Sequence, residues 1–199
     1  MVAAAVLSKP TAPNQALEDD RVEAIAPFDE SSVQEPQLRQ FLSYWRGLCR
    51  GRRFPARADL DPVDIPRLLP YMMLVDVADA NAGSFAFRLI GSHITDMVGF
   101  NPTGRSLDAF LGDGSFGDFT HGIHAQSLRL GCPVYGGGRH LTAYETTHTC
   151  RRVMCPLSDD GTTISTIVTC AMFTKHTLNP APIVNSDGRV SVEFLHAVG

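Results

Sequence analysis

The sequence predicts an α+β fold in which one mostly antiparallel sheet of five strands carries helices on one face, with an extra helix before the first strand. The predicted elements follow the order helix, two strands, several helices and three strands. Two pairs of strands are joined by short turns rich in Asn, Asp and Gly, which are typical of antiparallel hairpins. These observations favour a hairpin, a helical crossover and a second antiparallel group within one sheet.

The N-terminal part of the chain divides at Pro36. Residues 1–34 mix Ala, Pro, Gln and acidic residues without sustained periodicity, and we expect them to be mostly disordered. Pro36 then opens a helix, because the first turn does not use the N–H that proline lacks. Apolar side chains recur every three or four residues along one side of this helix, and they are Leu38, Phe41, Leu42, Trp45, Leu48 and Cys49.

A connector rich in arginine follows this helix. Five arginines with no acidic residue among them precede three aspartates within residues 46–64. Arginine forks match phosphate and carboxylate groups, so the cluster is a candidate anion site. The nearby aspartates favour the alternative that internal ion pairs hold the connector. In that case Arg57 and a neighbouring arginine would pair with one of three acids, Asp59, Asp61 or Asp64. Asp61 also predicts the start of a short helix.

The first two predicted strands form a hairpin, and they are Tyr71–Ala78 and Phe85–Ile90. Alternation along the second strand places Phe85, Phe87 and Leu89 on one face. Arg88 takes the other face, within cross-strand reach of Asp76. We expect these two residues to form an ion pair that helps to fix the register of the hairpin.

A second group of elements follows the hairpin. Ser92 is placed to cap a helix of about two turns, and a longer helix is predicted over Asp118–Leu130. Three strand-like runs come next, and they are Val134-Tyr135, Thr146–Leu157 and Thr162–Phe173. The chain becomes polar and rich in Pro after Lys175. We therefore expect one folded domain over residues 35–175 and a flexible tail over residues 176–199.

Composition and charge exclude several classes of protein. A hydrophobic content of 44% with 19% charged residues is typical of a globular chain rather than a disordered one. The net charge of −4 gives no reason to expect nucleic acid as a partner. No apolar run approaches the roughly 18 residues of a membrane span. The five cysteines include no CxxC pair, so we expect reduced thiols in the cytoplasm.

Three separate motifs resemble those of a divergent family of bacterial PAS-like domains. The first is YWRGLCRGRRFPARADLDPVDIPRLLPYMMLVDV at 44–77, where a Tyr-Trp helix, a Pro-x-Arg-x-Asp connector and a Leu-Leu-Pro segment precede a strand. The second is FRLIGSHITDMVGFNPTGRSL at 87–107, and the third is MCPLSDDGTTISTIV at 154–168. They occur in the family's order, and the resemblance covers residues 38–174.

The resemblance implies a five-stranded PAS-like sheet and a sensory or protein-interaction role. It implies no agreed ligand and no catalytic activity, so the cofactor stays unassigned. The partners that it suggests are a small molecule and another protein, which includes a second copy of the chain. None of the five cysteines lies in the Asn-Cys-Arg-Phe setting of photosensory relatives, so we do not expect a cysteine adduct with a flavin.

A ligand cavity of a PAS domain would lie near the second strand and the helices that follow it. His121 and His124 are three residues apart on a predicted helix and face the same way. No acidic or cysteine partner stands near them at metal-ligand spacing, so we expect no metal site. Aromatic residues at strand spacing also suit an ordinary core. The candidate ligand-contacting residues are Phe87, Leu89, His93, Met97, Phe110, Phe119 and His124.

We expect a stand-alone sensory or adaptor domain, because the rest of the sequence leaves no room for a kinase, a cyclase or a DNA-binding module. A ligand or a partner would shift the packing of the first helix, with Trp45 and Leu48 as the coupling contact. One alternative is a small cone-shaped enzyme of the isomerase or hydratase type. Its general base would be one of three acids, Asp96, Asp108 or Asp118. The other alternative is a dimerisation module without a ligand.

Overall fold

The computed structural model describes residues 30–81, 83–98, 101–107, 115–141, 147–176 and 191–197. The helices in these ranges are α1 (Pro36–Cys49), α2 (Ser92–Val98) and α3 (Ser115–Leu130). The strands are β1 (Met72–Asp79), β2 (Ser84–Ile90), β3 (Val134–Leu141), β4 (Thr147–Leu157), β5 (Thr166–His176) and β6 (Ser191–Ala197). Short 3₁₀ helices occur at Glu30–Ser32, Arg57–Asp59 and Leu69–Tyr71.

The strands form one antiparallel sheet in the order β2-β1-β5-β4-β3-β6. β1 pairs with β5, for example Leu74 with Val168, so the N-terminal and C-terminal hairpins meet at the centre of the sheet. β4 and β5 form a long hairpin that pairs Thr147 with His176 at one end and Leu157 with Thr166 at the other. The predicted α+β fold with five antiparallel strands and an N-terminal helix is therefore confirmed, and a sixth strand is added to it.

The sixth strand corrects part of the prediction of a flexible tail over residues 176–199, since Ser191–Ala197 is a strand, whereas residues 177–190 and 198–199 lie outside the described residues. β6 pairs with β3 from Val134↔Ala197 to Arg139↔Ser191. Without β6, the outer edge of β3 would present a row of unpaired N–H and C=O groups. The sequence indicates this strand only weakly, because the segment is short and follows a stretch of Pro, Asn, Asp and Gly, although Val192 and Phe194 alternate with Ser191 and Glu193 as in a strand.

The start of the ordered chain is also earlier than predicted. Glu30–Ser32 forms a 3₁₀ turn, and Val33 is fully buried in the core beside α1. Residues 30–34 therefore belong to the domain, although they fall within the segment that the sequence predicts to be disordered. The rest of that segment lies outside the described residues.

The short helix predicted after Asp61 is replaced by a series of tight turns. Pro66 would lie in the interior of this helix, and it lacks the N–H that an α-helix needs at that point. Bonds between residues three apart appear instead, such as Asp64 N–H to the Asp61 carbonyl and Leu68 N–H to the Ile65 carbonyl. The side chain of Asp61 accepts a further bond from the N–H of Val63 at 2.9 Å.

Helices cover both faces of the sheet. We call the face covered by α1 the outer face and the opposite face, covered by α2 and α3, the inner face. Helices α1 and α3 both pack on β4 and β5, and consecutive residues of β4 such as Val153, Met154 and Cys155 are fully buried. Since successive side chains of a strand point to opposite faces, only two layers of helix explain this burial. The indole N–H of Trp45 donates to the carbonyl of Pro156 at 3.0 Å.

Ion pairs and hydrogen bonds hold the connector between α1 and β1. A guanidinium N–H of Arg52 donates to Asp59 at 2.6 Å, and the backbone N–H of Ala56 donates to the same oxygen at 2.7 Å. The hydrogen bond from Arg52 is the largest cause of the lowered pKa of Asp59. The hydroxyl of Tyr44 accepts a bond from the N–H of Asp61 at 3.0 Å. Internal pairing is therefore observed, as the sequence favours, but its arginine is Arg52.

The sequence predicts that the side chain of Arg57 pairs with an aspartate of the connector. The structure shows no such pair for Arg57 among the described residues. Its backbone N–H donates to Asp159 at 3.1 Å, which ties the connector to the turn between β4 and β5. Its Nε atom is buried and lacks a hydrogen-bond partner among the described residues. Arg57 thus contributes to the connector through its backbone, because the 3₁₀ helix that it begins directs its N–H toward the turn.

Arg88 and Asp76 form the ion pair that the sequence predicts across the first hairpin. Nε of Arg88 donates to both carboxylate oxygens of Asp76, at 2.7 and 2.8 Å. The hydroxyl of Thr166 also donates to Asp76 at 3.1 Å. Asp76 therefore links strands β2 and β5 across β1. The hydrogen bond and the charge of Asp76 raise the pKa of Arg88.

Gly91, just after β2, provides a test of the backbone packing between the first hairpin and the connector. A Cβ atom at Gly91 would lie 2.3 Å from the carbonyl oxygen of Pro70 and 2.5 Å from that of Leu69. The atoms that an alanine Cβ would meet belong to the backbone, which cannot move aside as a flexible side chain can. Gly91→Ala should therefore lower the free energy of unfolding by about 2 to 4 kcal/mol. Urea unfolding measures the change.

Gly47 is the matched control for this substitution. It lies on the exposed side of α1, and a Cβ atom there would meet no atom within 4 Å. Gly47→Ala should therefore stabilise the domain by about 0.5 to 1 kcal/mol, because alanine loses less backbone entropy in a helix. Equal changes in the free energy of unfolding for the two substitutions would show that Gly91 does not lie close to the carbonyl groups of Leu69 and Pro70.

Candidate functional site

The inner face of the sheet carries the candidate site, and the strand register defines its residues. Phe87 pairs with Val75, which in turn pairs with Ile167 on β5. Cross-strand partners share a face, and so do residues two apart on a strand. The inner face of β5 and β4 therefore includes Ile167, Thr169, Ala171, Met154 and Arg152. The last of these, Arg152, is flanked by the small residues Gly136 and Ala171 on its neighbouring strands.

Two histidines of α3 lie against this face. The ring centroid of Phe85 is 5.5 Å from that of His121 and 5.7 Å from that of His124. The Nε2 atom of His121 is 2.7 Å from the carbonyl oxygen of Gly83, and since a carbonyl only accepts, the ring N–H donates. His121 thus ties α3 to the turn of the first hairpin. Among the described residues, no group of three His, Cys, Asp or Glu side chains is arranged to hold a metal ion.

His124 is a fully buried titratable group of the inner face. Its side chain is 0% exposed, and its Nδ1–H donates to the carbonyl of Thr120 at 2.7 Å. Its pKa is lowered to about 4, mainly by burial and to a smaller extent by the nearby Arg152 and His121, whereas the Thr120 bond raises it. The ring is therefore neutral near pH 7. Its second nitrogen, Nε2, is buried and has no hydrogen-bond partner among the described residues.

Two hydroxyl groups of this region are also buried without a hydrogen-bond partner among the described residues. Ser127, three residues after His124 on α3, and Thr169, on the inner face of β5, are both fully buried. Within the described part of the chain, neither Oγ of Ser127 nor Oγ1 of Thr169 has a hydrogen-bond partner. Arg152 is also buried, and it donates to the thiol of Cys150, which lowers the pKa of Cys150 against a larger raising effect of burial. The inner face is thus polar beneath α3.

The other predicted ligand-contacting residues are distributed unevenly. Phe87 is buried on the inner face, whereas His93 and Met97 on α2 are partly exposed. The ring of His93 lies 4.6 Å from that of Tyr71, and its Nε2 atom is buried with no partner in the described ranges. Phe110 lies outside the described residues, and so does the side chain of Phe119. The structure therefore places Phe87 and His124 on one face with α2 at its margin.

Leu89 is a correction to the predicted set. The pairing of β1 with β2 shifts between Leu74↔Leu89 and Val75↔Phe87, so Arg88 is an extra residue in a β-bulge. The bulge breaks the alternation that the sequence predicts, and Leu89 is 43% exposed instead of lying beside Phe87. A one-residue shift moves every later side chain to the other face, and the sequence shows no marker of the bulge.

Sequence reasoning missed Ser127, Thr169 and Arg152. A serine within a helix and a threonine or an arginine within a strand are common on surfaces, so residue type alone does not mark them. The signal that was available is the run from Gly136 to Gly138 in β3, which pairs with the stretch from Cys150 to Arg152. Glycines opposite a buried arginine indicate that space is required on that face.

The acids proposed for an enzyme do not form a site in the described residues. Asp96 is exposed on α2. Asp108 lies outside the described residues, and so does the side chain of Asp118. The enzyme alternative therefore has no buried carboxylate among the described side chains to serve as its general base.

The buried ring of His124 predicts a dependence of folding stability on pH. Its native pKa of about 4 lies below the unfolded value of about 6.5, so the unfolded chain binds more protons between these values. Stability should fall as the pH drops from about 6.5 to about 4, by about 3 kcal/mol from this group. Urea unfolding of His124→Phe across this range should lack that contribution.

His121→Phe is the matched control, because His121 lies on the same helix and against the same Phe85 ring. This variant loses the bond to Gly83 and is less stable at every pH, but it should keep the pH dependence that His124 causes. Parallel pH profiles for wild type and His124→Phe would contradict the burial of this ring.

Comparisons with known proteins identify a family that matches the chain and solved structures that are similar to it. A PAS domain family matches residues 33–169. Among solved structures, the LOV domain of a blue-light activated histidine kinase from Erythrobacter litoralis has a TM-score of 0.41 and 15% identity, covering 54% of this chain and 99% of that chain. A LOV protein of Rhodobacter sphaeroides has a TM-score of 0.40 and 14% identity, covering 64% of this chain and 73% of that chain.

No curated protein matches the chain. Scores as low as those of the two LOV proteins do not support a statement about this chain, so the assignment depends on the family match. That match covers the connector, the first hairpin, the helices of the inner face and most of the β4–β5 hairpin. The chain belongs to the PAS domain family.

Proposed function

We propose that this PAS domain is a sensory or adaptor module that regulates a partner protein, and that occupancy of its inner face changes the packing of α1 on its outer face. PAS domains are a sensory and signalling fold. The observation that carries the proposal is that α1 and α3 pack on opposite faces of the same two strands, β4 and β5. Thr169 and Arg152 face α3, whereas their sequence neighbours Cys170 and Arg151 face α1.

The attachment of α1 to these strands is specific. Glu35, directly before α1, accepts a hydrogen bond from the hydroxyl of Tyr135 at 2.8 Å. Burial and this carboxylate together raise the pKa of Tyr135 to about 12. Arg151 lies 4.0 Å from the same carboxylate. At the other end of the helix, Trp45 is bonded to Pro156 of β4. A small movement of β4 would therefore change the contacts at both ends of α1.

The proposal includes a protein partner and a cytoplasmic setting. The five cysteines are free thiols, which suits a reducing compartment. No helix in the described ranges is long and apolar enough to cross a membrane. The surface of α1 that faces away from the sheet carries exposed polar residues such as Gln40 and Ser43, which are accessible to a partner or to a second copy of the chain.

Two alternatives differ in what the inner face does. A dimerisation module without a ligand would share the same α1 surface, and native mass spectrometry together with an absorption spectrum of the purified chain separates it from a sensor. A bound coloured cofactor would absorb visible light, and a colourless one would add mass. An isomerase or hydratase would require a carboxylate on the inner face, which a pH profile of activity would reveal.

Trp45 provides the test of the coupling to α1. Trp45→Phe keeps an aromatic ring in the core and removes the N–H bond to Pro156, at a cost of about 1 kcal/mol. Hydrogen exchange of the α1 backbone should accelerate in this variant, and its oligomeric state or its binding to a regulated partner should change. Trp45→Ala should show the same effects more strongly, with a loss of about 3 to 5 kcal/mol.

Gln40→Ala, on the exposed side of α1, is the control for a general effect of helix mutations. It should leave both stability and α1 exchange near the values of the wild type. The proposal fails if folded Trp45 variants match the wild type in α1 exchange, oligomeric state and partner binding.

A further inference from the structure

We propose that β6 is exchanged between two copies of this chain, so that Ser191–Ala197 of one copy pairs with β3 of the other. The interaction surface is the edge of β3, and its partner is the C-terminal strand of a second copy. This contact goes beyond the proposed function and does not involve the α1 surface.

β6 is an addition to the part of the sheet that the family match covers. The match spans residues 33–169 and ends within β5, so β6 lies beyond it. β6 stands last in the strand order, next to β3, and the other five strands pair with one another without it. Among the described elements, β3 is the one on which β6 packs to a substantial extent. The rest of the sheet therefore does not require β6 of the same copy.

β3 offers few side chains for contact with β6. Three consecutive residues of β3 are glycines that pair with apolar residues of β6, in the register Gly136↔Leu195, Gly137↔Phe194 and Gly138↔Val192. A glycine lacks the side chain that a cross-strand contact needs, and such contacts usually stabilise the pairing of strands. The register also shifts within this run, so Glu193 is an extra residue in a β-bulge. β6 is therefore held mainly by main-chain hydrogen bonds.

The segment between β5 and β6 is longer than pairing within one copy requires. His176 ends β5 at the same end of the sheet as Leu141 of β3, since both pair with one residue of β4. Ser191 begins β6 near that end, opposite Arg139. Three strand spacings separate β5 from β6, a gap of about 14 Å. Residues 177–190 can span up to about 50 Å when extended, which also permits pairing with a second copy.

The edge of β3 identifies the partner. Release of β6 leaves a row of unpaired N–H and C=O groups along this edge. The segment whose register on it the structure shows is Ser191–Ala197, and a second copy supplies the same residues. Exchange of an identical element needs no new complementarity, so it is a low-cost route to a dimer.

The opposite edge of the sheet does not offer such a surface. The N–H of Gly104 donates to the carbonyl of Phe87 on β2 at 2.6 Å, and the N–H of Phe87 donates to the carbonyl of Arg105 at 2.9 Å. The chain after α2 therefore already pairs with β2.

Two single-cysteine variants distinguish strand exchange from pairing within one copy. Val134 and Ala197 are cross-strand partners, and the Cα atoms of such partners are about 4.5 to 5.5 Å apart, which a disulfide can bridge. Full-length Val134→Cys is mixed with full-length Ala197→Cys at high protein concentration and treated with oxidised glutathione. Pairing within one copy cannot join these two chains, so a covalent heterodimer linked through the introduced cysteines, identified by mass spectrometry, reports strand exchange.

The matched control is a mixture of Val134→Cys with Val192→Cys. Val192 pairs with Gly138, four residues along β3 from Val134, which is too far for a disulfide. The five native thiols are present in both mixtures, so their contribution is equal. The mixture with Ala197→Cys should give at least about fivefold more heterodimer than the control, because only its cysteines meet in the exchanged register.

A free peptide with the sequence of residues 189–199 should compete for the edge of β3 and lower the heterodimer yield at least about twofold when present in excess. The same peptide with Phe194→Pro is its control, because proline removes an N–H and does not fit a ladder. The double variant Val134→Cys/Ala197→Cys, oxidised in dilute solution, locks β6 onto its own β3. It should stay monomeric by native mass spectrometry at concentrations where its reduced form shows a dimer.

Three results would overturn the proposal. They are equal heterodimer yields in the two mixtures, no competition by the peptide, or equal dimerisation of the locked and reduced forms of the double variant. A dimer that survives the lock would use another surface, such as that of α1, and would leave the proposed function standing. Conversely, Trp45 variants that leave α1 and partner binding unchanged would refute the proposed function and not the exchange of β6.

Discussion

Burial of both faces of β4 and β5 constrains everything else in this domain. Their inner face packs against α3 and their outer face against α1, so the central strands are apolar in consecutive positions. α1 buries Leu38, Phe41 and Leu42 completely, and each such side chain contributes about 1.5 to 3 kcal/mol. That sum approaches the whole stability of a typical domain, which is about 5 to 15 kcal/mol. Detachment of α1 would therefore remove much of the stability of the domain, so in the proposed sensor α1 would shift or tilt and stay packed on the sheet.

The contacts within the charged connector help to hold α1 on the outer face of the sheet. Arg46 pairs with Glu30, Arg52 pairs with Asp59, and the guanidinium of Arg53 lies 4.8 Å from the ring centroid of Phe54. These contacts occupy arginines that would otherwise suit an external anion. The pairs are partly exposed, so each one contributes little to stability. Their effect is geometric, because they fix the path from α1 to β1 and thereby the position of the helix on the outer face.

The sequence predicts the architecture better than the site. Regular periodicity and turn residues suffice for α1, the two hairpins and the pair of Asp76 with Arg88. The errors have local physical causes, since a bulge at Arg88 displaces Leu89 and Pro66 prevents the helix after Asp61. The polar site depends on which residues meet across α3, β4 and β5. Such long-range contacts leave no periodic pattern, which is why Ser127 and Thr169 were missed.

Strand geometry itself supplies a short route between the two sides of the sheet. Thr169 and Cys170 are adjacent in β5 and point to opposite faces, and the neighbouring strand repeats this arrangement with Arg152 and Arg151. In the proposed sensor, a ligand that pulled on the inner residue would rotate a peptide unit that also carries the outer one. The outer residues lie beside Glu35 and the core of α1, where a small rotation changes the ion pair and the packing together. In the proposed sensor, one layer of backbone therefore separates detection from response, and no longer pathway is required.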